Sequence, residues 1–133
     1  MPKEGRVRSL VIDDESGLHM LIETALKRAD CDADFVRTCA EGIQKFQKTP
    51  DLYDVVITDL NQKPSGVDVV NAVGGYDPRI PVYIITGGAD SALETTARQL
   101  VGERYITKPF ADVLGIFKKI ADDARQQRQL RYP

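Results

Sequence analysis

The chain predicts an α/β fold: a doubly wound sheet of five parallel strands with helices on both faces. Three observations carry this. Five short apolar runs alternate with five helix-length segments at a spacing of roughly 20–25 residues, the arrangement that builds βαβ units with right-handed crossovers. The runs are rich in Val and Ile, as strands buried on both faces are. Four of the five end on polar residues: Asp13-Asp14, Asp59, Thr86 and Lys108. No repeat and no internal linker is visible in the 133 residues, so one domain is expected.

Taken in order, RSLVID (8–13) reads as a buried strand ending in a carboxylate. Leu18, Leu21, Ile22, Ala25, Leu26 and Ala29 then follow helical spacing, the strongest such signal in the chain. ADFVRT (33–38) is more polar and suits a sheet edge. Ala40–Lys48 reads as a short helix stopped by Pro50. DVVIT (54–58) is the third strand. Val67–Val73 is rich in β-branched residues, yet Gly74-Gly75 looks like a helix stop, so a helix is expected there. Pro81–Thr86 is the fourth strand. Ser91–Val101 is a helix with a thin apolar stripe of Leu93, Ala97 and Leu100, and RYITK (104–108) is the fifth strand. The last helix places Val113, Phe117, Ile120 and Ala124 on one face. The tail ARQQRQLRYP (124–133) holds three arginines and no acid, and is expected to be a solvated, frayed helix end or the start of a linker.

Composition excludes several function classes. Eighteen Lys+Arg against twenty Asp+Glu give a formal net charge of −2, which offers no bulk attraction to nucleic acid or anionic membrane. Cys31 and Cys39 form no CxxC pair, which argues for a reducing compartment over a disulfide framework or zinc site. The N-terminus does not read as a signal peptide, and no apolar run approaches the ~20 residues that span a bilayer. A soluble cytoplasmic protein is expected.

Asp59 ends VVITD at the edge of the core, where a charge costs desolvation energy unless something pairs with it. Ligands of open parallel sheets sit at the carboxyl ends of the strands, beside the point where strand order reverses. If the first and third strands are neighbours there, three carboxylates share one crevice and raise one another's pKa. A hard divalent cation removes that conflict, and oxygen donors suit Mg2+. Lys108 adds a compact positive charge and Thr86 a hydroxyl. Cation, ammonium and hydroxyl around one carboxylate are the parts phosphoryl transfer needs, and the chemistry implied is an aspartyl-phosphate.

IDDE (12–15), TDL (58–60), IITGG (84–88) and YITKPF (105–110) together resemble the receiver domain of bacterial two-component response regulators. Each motif alone is weak; the set, in this order and spacing, is specific. The resemblance runs from about Val7 to Ala124, so residues 1–124 are expected to form the receiver domain and 125–133 a basic helix end or linker start. It implies a flavodoxin-like sheet of order 2-1-3-4-5. It implies that Asp59 is the phosphoacceptor, served by a histidine kinase or a histidine phosphotransfer protein. Asp14 would bind Mg2+ directly, Asp13 largely through water, and Asn61 through its backbone carbonyl. Lys108 would pair with the phosphoryl oxygens. Thr86 would swing to the phosphoryl group and Tyr105 would turn inward behind it, reshaping the face made by the fourth helix, fifth strand and fifth helix. That face would meet an unknown downstream protein or output domain, or a second copy of the chain. The domain itself would contact neither nucleic acid nor membrane, and would be no enzyme beyond self-phosphotransfer and slow autodephosphorylation. The resemblance also implies a cis Lys108–Pro109 bond, and a reachable acceptor because Gly87 is small.

The loop Asn61–Gly66 departs from the family. Met-Pro is usual three and four past the acceptor and Gly eight past it; here Gln62 and Lys63 take those places, with Pro64 at five and Gly66 at seven. The spacing from Asp59 to Thr86 is also short. Gly88 has no side chain to position an attacking water, so slow self-dephosphorylation is expected. Each site residue also has a plain structural reading: Asp13, Asp14 and Asp59 as helix caps or turn residues, Lys108 as a surface lysine, Tyr105 as packing. His19, the only histidine, reads as a surface residue, and the two cysteines as small buried fillers. Two rivals remain. A haloacid-dehalogenase-type phosphatase also uses an aspartyl nucleophile, but its DxD pair belongs after the first strand, where this chain has adjacent acids. A degenerate receiver would serve only as a docking surface.

Overall fold

The computed structural model describes residues 5–133. Five parallel strands, β1 (Val7–Ile12), β2 (Cys31–Val36), β3 (Val55–Asp59), β4 (Val82–Thr86) and β5 (Tyr105–Thr107), form one sheet in the order β2-β1-β3-β4-β5. The order reverses between β1 and β3, as expected. Five helices connect or follow them: α1 (Ser16–Arg28), α2 (Cys39–Lys48), α3 (Gly66–Tyr76), α4 (Ser91–Val101) and α5 (Val113–Arg131).

The core has two layers, one on each face of the sheet. On one side Val7, Val11 and Ile57 meet Ile22, Ala25 and Leu26 of α1 and Phe117, Ile120 and Ala124 of α5. On the other, Leu10, Ile12 and Val56 meet Phe46 of α2 and Val69 and Val73 of α3, while Leu60 and Ile84 meet Ala97 of α4. Ala97 is the only fully buried residue of α4, so the thin stripe read from the sequence is a thin contact in the fold. β2 is the polar edge: only Cys31 is fully buried, and Asp32 and Asp34 pair with Arg6 and Arg8.

Helix starts follow local chemistry. Thr38 caps α2 by accepting from the Glu41 amide, Ser65 and Asp68 form a capping box on α3, and Asp90 and Asp112 cap α4 and α5. Gly74-Gly75 does not stop α3. The helix runs through both glycines to Tyr76, since capping at its start and burial of Val69 and Val73 outweigh the helix propensity lost at them.

The C-terminal tail also differs from expectation. α5 continues to Arg131, and the guanidinium groups of Arg128 and Arg131 each lie 3.4 Å from the Asp54 carboxylate. Asp54 also accepts from the Arg8 amide at 2.9 Å. The Arg131 side chain is 3% exposed, so this end is buried against the amino edge of the sheet instead of solvated. Periodicity could not show this, because the partner lies 74 and 77 residues away.

Candidate functional site: an acidic cluster at the carboxyl edge of the sheet

β1 pairs with β3 with Ile12 opposite Thr58, so the next residues, Asp13 and Asp59, emerge side by side. Carboxylate oxygens of Asp13, Asp14 and Asp59 all lie within 4.8 Å of one another. Asp13 is 3% and Asp59 9% exposed, while Asp14 faces solvent. The Leu60 amide donates to Asp59 Oδ1 at 2.9 Å. Burial and the neighbouring Asp13 charge nevertheless push the Asp59 carboxyl above its usual range, against the opposing pull of Lys108.

β5 pairs with β4 so that Thr107 lies opposite Thr86, and the Lys108 amide donates to the Thr86 carbonyl at 2.8 Å. The chain turns there through a cis Lys108–Pro109 bond. Lys108 Nζ donates to Asp13 Oδ2 at 3.0 Å and to Glu15 Oε1 at 2.9 Å. Burial disfavours its charge, but the hydrogen bonds to Glu15 and Asp13 prevail and raise its pKa. Sequence reasoning placed Lys108 here and overlooked Glu15, although it directly follows the acidic pair.

The Thr86 hydroxyl is fully engaged. It donates to the Gly88 carbonyl at 3.2 Å and accepts from the Gly88 amide at 3.1 Å and the Asn61 side-chain amide at 3.3 Å. The same Asn61 amide donates to the Gly88 carbonyl. The Asn61 side chain therefore ties the loop after β3 to the loop after β4, a contact that attention to its backbone carbonyl alone missed. Tyr105 is half-buried, with the Arg98 guanidinium 4.2 Å from its ring centroid.

Residues 9–126 match the family described as the response regulator receiver domain. The chain belongs to this family. It is 30% identical over 107 residues to the response regulator protein PilR of Pseudomonas aeruginosa and 29% identical over 109 residues to the transcriptional regulatory protein TrcR of Mycobacterium tuberculosis. Those matches cover 78% and 79% of this chain, but the chain spans only 23% and 40% of those relatives. Among solved structures, a response regulator receiver domain protein from Clostridium thermocellum superposes with a TM-score of 0.74 at 25% identity, covering 94% of this chain and 96% of the other. A CheY-like receiver domain protein from Methanospirillum hungatei shares the fold with a TM-score of 0.80 at 17% identity.

A receiver domain of two-component response regulators acts in signalling as a phosphoacceptor. In this receiver domain the acids at 13, 14 and 59 form a cluster able to hold a metal ion. None of the helices among the described residues is long and apolar enough to cross a membrane.

The atypical loop is tied into its neighbours. Gln62 Oε1 accepts from the Cys39 amide at 2.6 Å, and its Nε2 donates to the Arg37 carbonyl at 3.0 Å. Lys63 is exposed and precedes a cis Lys63–Pro64 bond. Gly66 starts α3 against the acceptor strand: a Cβ there would lie 2.5 Å from the Asp59 carbonyl oxygen. Gly87 is exposed, and a Cβ on it would meet open space.

His19 is not a free surface residue. Its Nε2 lies 2.8 Å from the Asp13 carbonyl oxygen, and its ring centroid 4.8 Å from that of Phe35. A carbonyl only accepts, so Nε2 carries the proton. Cys39 is buried with its thiol pushed up to about 11 by desolvation, so it is a neutral neighbour of Asp59 at neutral pH.

Proposed function

We propose that this receiver domain is a phosphorylation switch in which Asp59 takes a phosphoryl group from a histidine kinase or a histidine phosphotransfer protein. The observation that carries the reading is the grouping of Asp59 with Asp13 and Asp14, with Lys108 bonded into the same acidic cluster. An Asp59 oxygen attacks the phosphorus in line, the donor's phosphorus–nitrogen bond breaks, and an acyl phosphate forms. Asp14, Asp59, the Asn61 carbonyl and, through water, Asp13 would hold Mg2+. The donor set fits: all oxygen, three carboxylates, and one of them with its pKa raised by burial and by another's charge. Bound there, Mg2+ supplies neutralisation of the carboxylates and of the incoming phosphoryl oxygens.

Lys108 then exchanges Asp13 and Glu15 for phosphoryl oxygens. Thr86 leaves the Gly88 carbonyl for the phosphoryl group, breaking its bond to Asn61, and Tyr105 leaves Arg98 and turns inward. Because Ala97 alone anchors α4 deeply, the α4-β5-α5 face repacks at small cost, changing the binding of an output domain, a downstream protein or a second copy of the chain. Of the expected receiver span 1–124, residues 1–4 lie outside the described residues; 5–124 would carry this unit, and its last helix runs on to Arg131. Both cysteines are free, which suits the cytoplasm.

The test is phosphorylation by a small phosphoryl donor with Mg2+, comparing the parent with Asp59→Asn by intact mass. One adduct on the parent and none on the variant is expected. No adduct on the parent would leave the domain a docking surface. Beryllofluoride should shift NMR signals of α4, β5 and α5; changes confined to the acceptor loop would refute the proposed switch. Self-dephosphorylation should be slow. Gly88 has φ +135°, so any side chain there is strained, and Gly88→Glu is compared with Gly88→Ala to isolate the carboxylate. A shorter phosphoform lifetime in Gly88→Glu alone is expected.

A further inference from the structure

The segment Asp59-Leu60-Asn61-Gln62 is held at both ends by one residue of another element. At its start, Cys39 Sγ lies 3.7 Å from the Asp59 carbonyl oxygen and 3.5 Å from Thr58 Oγ1. At its end, the Cys39 amide donates to Gln62 Oε1. That amide is the first N–H of α2, one of the four that no helical carbonyl can reach. The cap residue Thr38 serves Glu41, leaving Cys39 to Gln62. The Gln62 Nε2 bond to the Arg37 carbonyl closes the other side of the same turn. One primary amide thus fastens the acceptor loop to the turn between β2 and α2. On the opposite side the Asn61 side chain is fastened to Thr86 and Gly88. The Asn61 backbone lies between these fixed points.

We propose that Gln62 is a positioning residue that presets the Asn61 backbone carbonyl for a divalent cation. This rests on the function proposed above. A ligand held in place before the ion arrives needs no ordering on binding, so a loosened loop lowers affinity without removing a donor. The effect is local to the loop and does not depend on how stable α2 is.

Three variants test this: Gln62→Met, which keeps length and loses both bonds; Gln62→Glu, which keeps the acceptor for the Cys39 amide; and Thr38→Ala, which removes the α2 cap and leaves Gln62 intact. Mg2+ affinity is measured by titration calorimetry, and hydrogen exchange of the Cys39 amide by NMR. Gln62→Met should bind Mg2+ about tenfold more weakly, with the Cys39 amide exchanging faster. Gln62→Glu should keep the protection of the Cys39 amide, and Thr38→Ala should lower the melting temperature without changing the affinity. Parent-like affinity in Gln62→Met overturns the inference, and so does equal weakening in Thr38→Ala. If the parent binds Mg2+ and these variants disagree, only the inference fails. If the parent binds none, the functional reading fails with it.

Discussion

Lys108 Nζ lies 3.0 Å from Asp13 Oδ2, joining the loop after β5 to the loop after β1 across 95 residues of chain. With Glu15 as second acceptor, this ammonium is the one cation bonded into the acidic cluster among the described residues. Removing it leaves Asp13 buried without a counter-charge. Lys108→Ala should cost about 1–3 kcal/mol of unfolding free energy without divalent cations, and the deficit should shrink on adding Mg2+. Urea denaturation with and without Mg2+ measures this; an identical loss in both would detach the lysine from the cluster.

The raised pKa of Asp59 sets the sign of a pH effect. The folded state holds this proton more tightly than the unfolded chain, whose reference is 3.8. Between that value and the raised folded one, stability therefore falls as pH rises, and the penalty is complete above the window. Asp59→Asn removes the penalty. Without divalent cations its melting temperature should exceed the parent's by a few degrees at neutral pH, and the advantage should fade as pH drops through the window. Mg2+ at ten times its dissociation constant should stabilise the parent by about 1.4 kcal/mol, and the variant less. Thermal melts over a pH series would show a parent already as stable as the variant if Asp59 carried no such strain.

Gly66 allows α3 to begin against the Asp59 carbonyl. Backbone is what a methyl would strike, and backbone gives way only by moving the acceptor strand or the helix. Gly66→Ala should destabilise by about 1–3 kcal/mol and shift the amide resonances of Asp59 and Leu60. Gly74→Ala, where a Cβ meets open space inside the same helix, should instead stabilise by about 0.5–1 kcal/mol. Paired denaturation curves decide between them.

Asp54 is 1% exposed and faces the guanidinium groups of Arg128 and Arg131. Taking away the shared carboxylate leaves two positive charges facing each other at the foot of the sheet. Asp54→Ala should cost about 3–5 kcal/mol and speed hydrogen exchange in the last two turns of α5. Exchange unchanged in that helix end would show that packing of α5, and not the acid, holds it.

Strand and helix assignments were legible because burial leaves a period in the chain. Leu18 through Leu26 on α1, and Val113 through Ala124 on α5, repeat at helical spacing where the structure has helices. Most boundaries moved by a residue or two, but α5 ran on past Ala124 to Arg131, and Gly74-Gly75 misled, because glycine signals a stop only when packing and capping do not carry the helix past it. Asp13, Asp14, Asp59, Thr86 and Lys108 were legible because each follows or ends a strand, and parallel strands place all such residues on one edge.

By itself the sequence determined the strand–helix alternation, the family and the edge that gathers the acids, since these follow from local periodicity and from short motifs. Only the tertiary structure decided where individual side chains spend their hydrogen bonds: Lys108 on Glu15, Asn61 on Thr86 and Gly88, Gln62 on the start of α2, His19 on Asp13, and Arg128 and Arg131 on Asp54. Most of these partners come from different elements, and a hydrogen bond forms only over about 3 Å with the right direction. No spacing along a chain encodes that condition; the folded arrangement of sheet, loops and helix ends does.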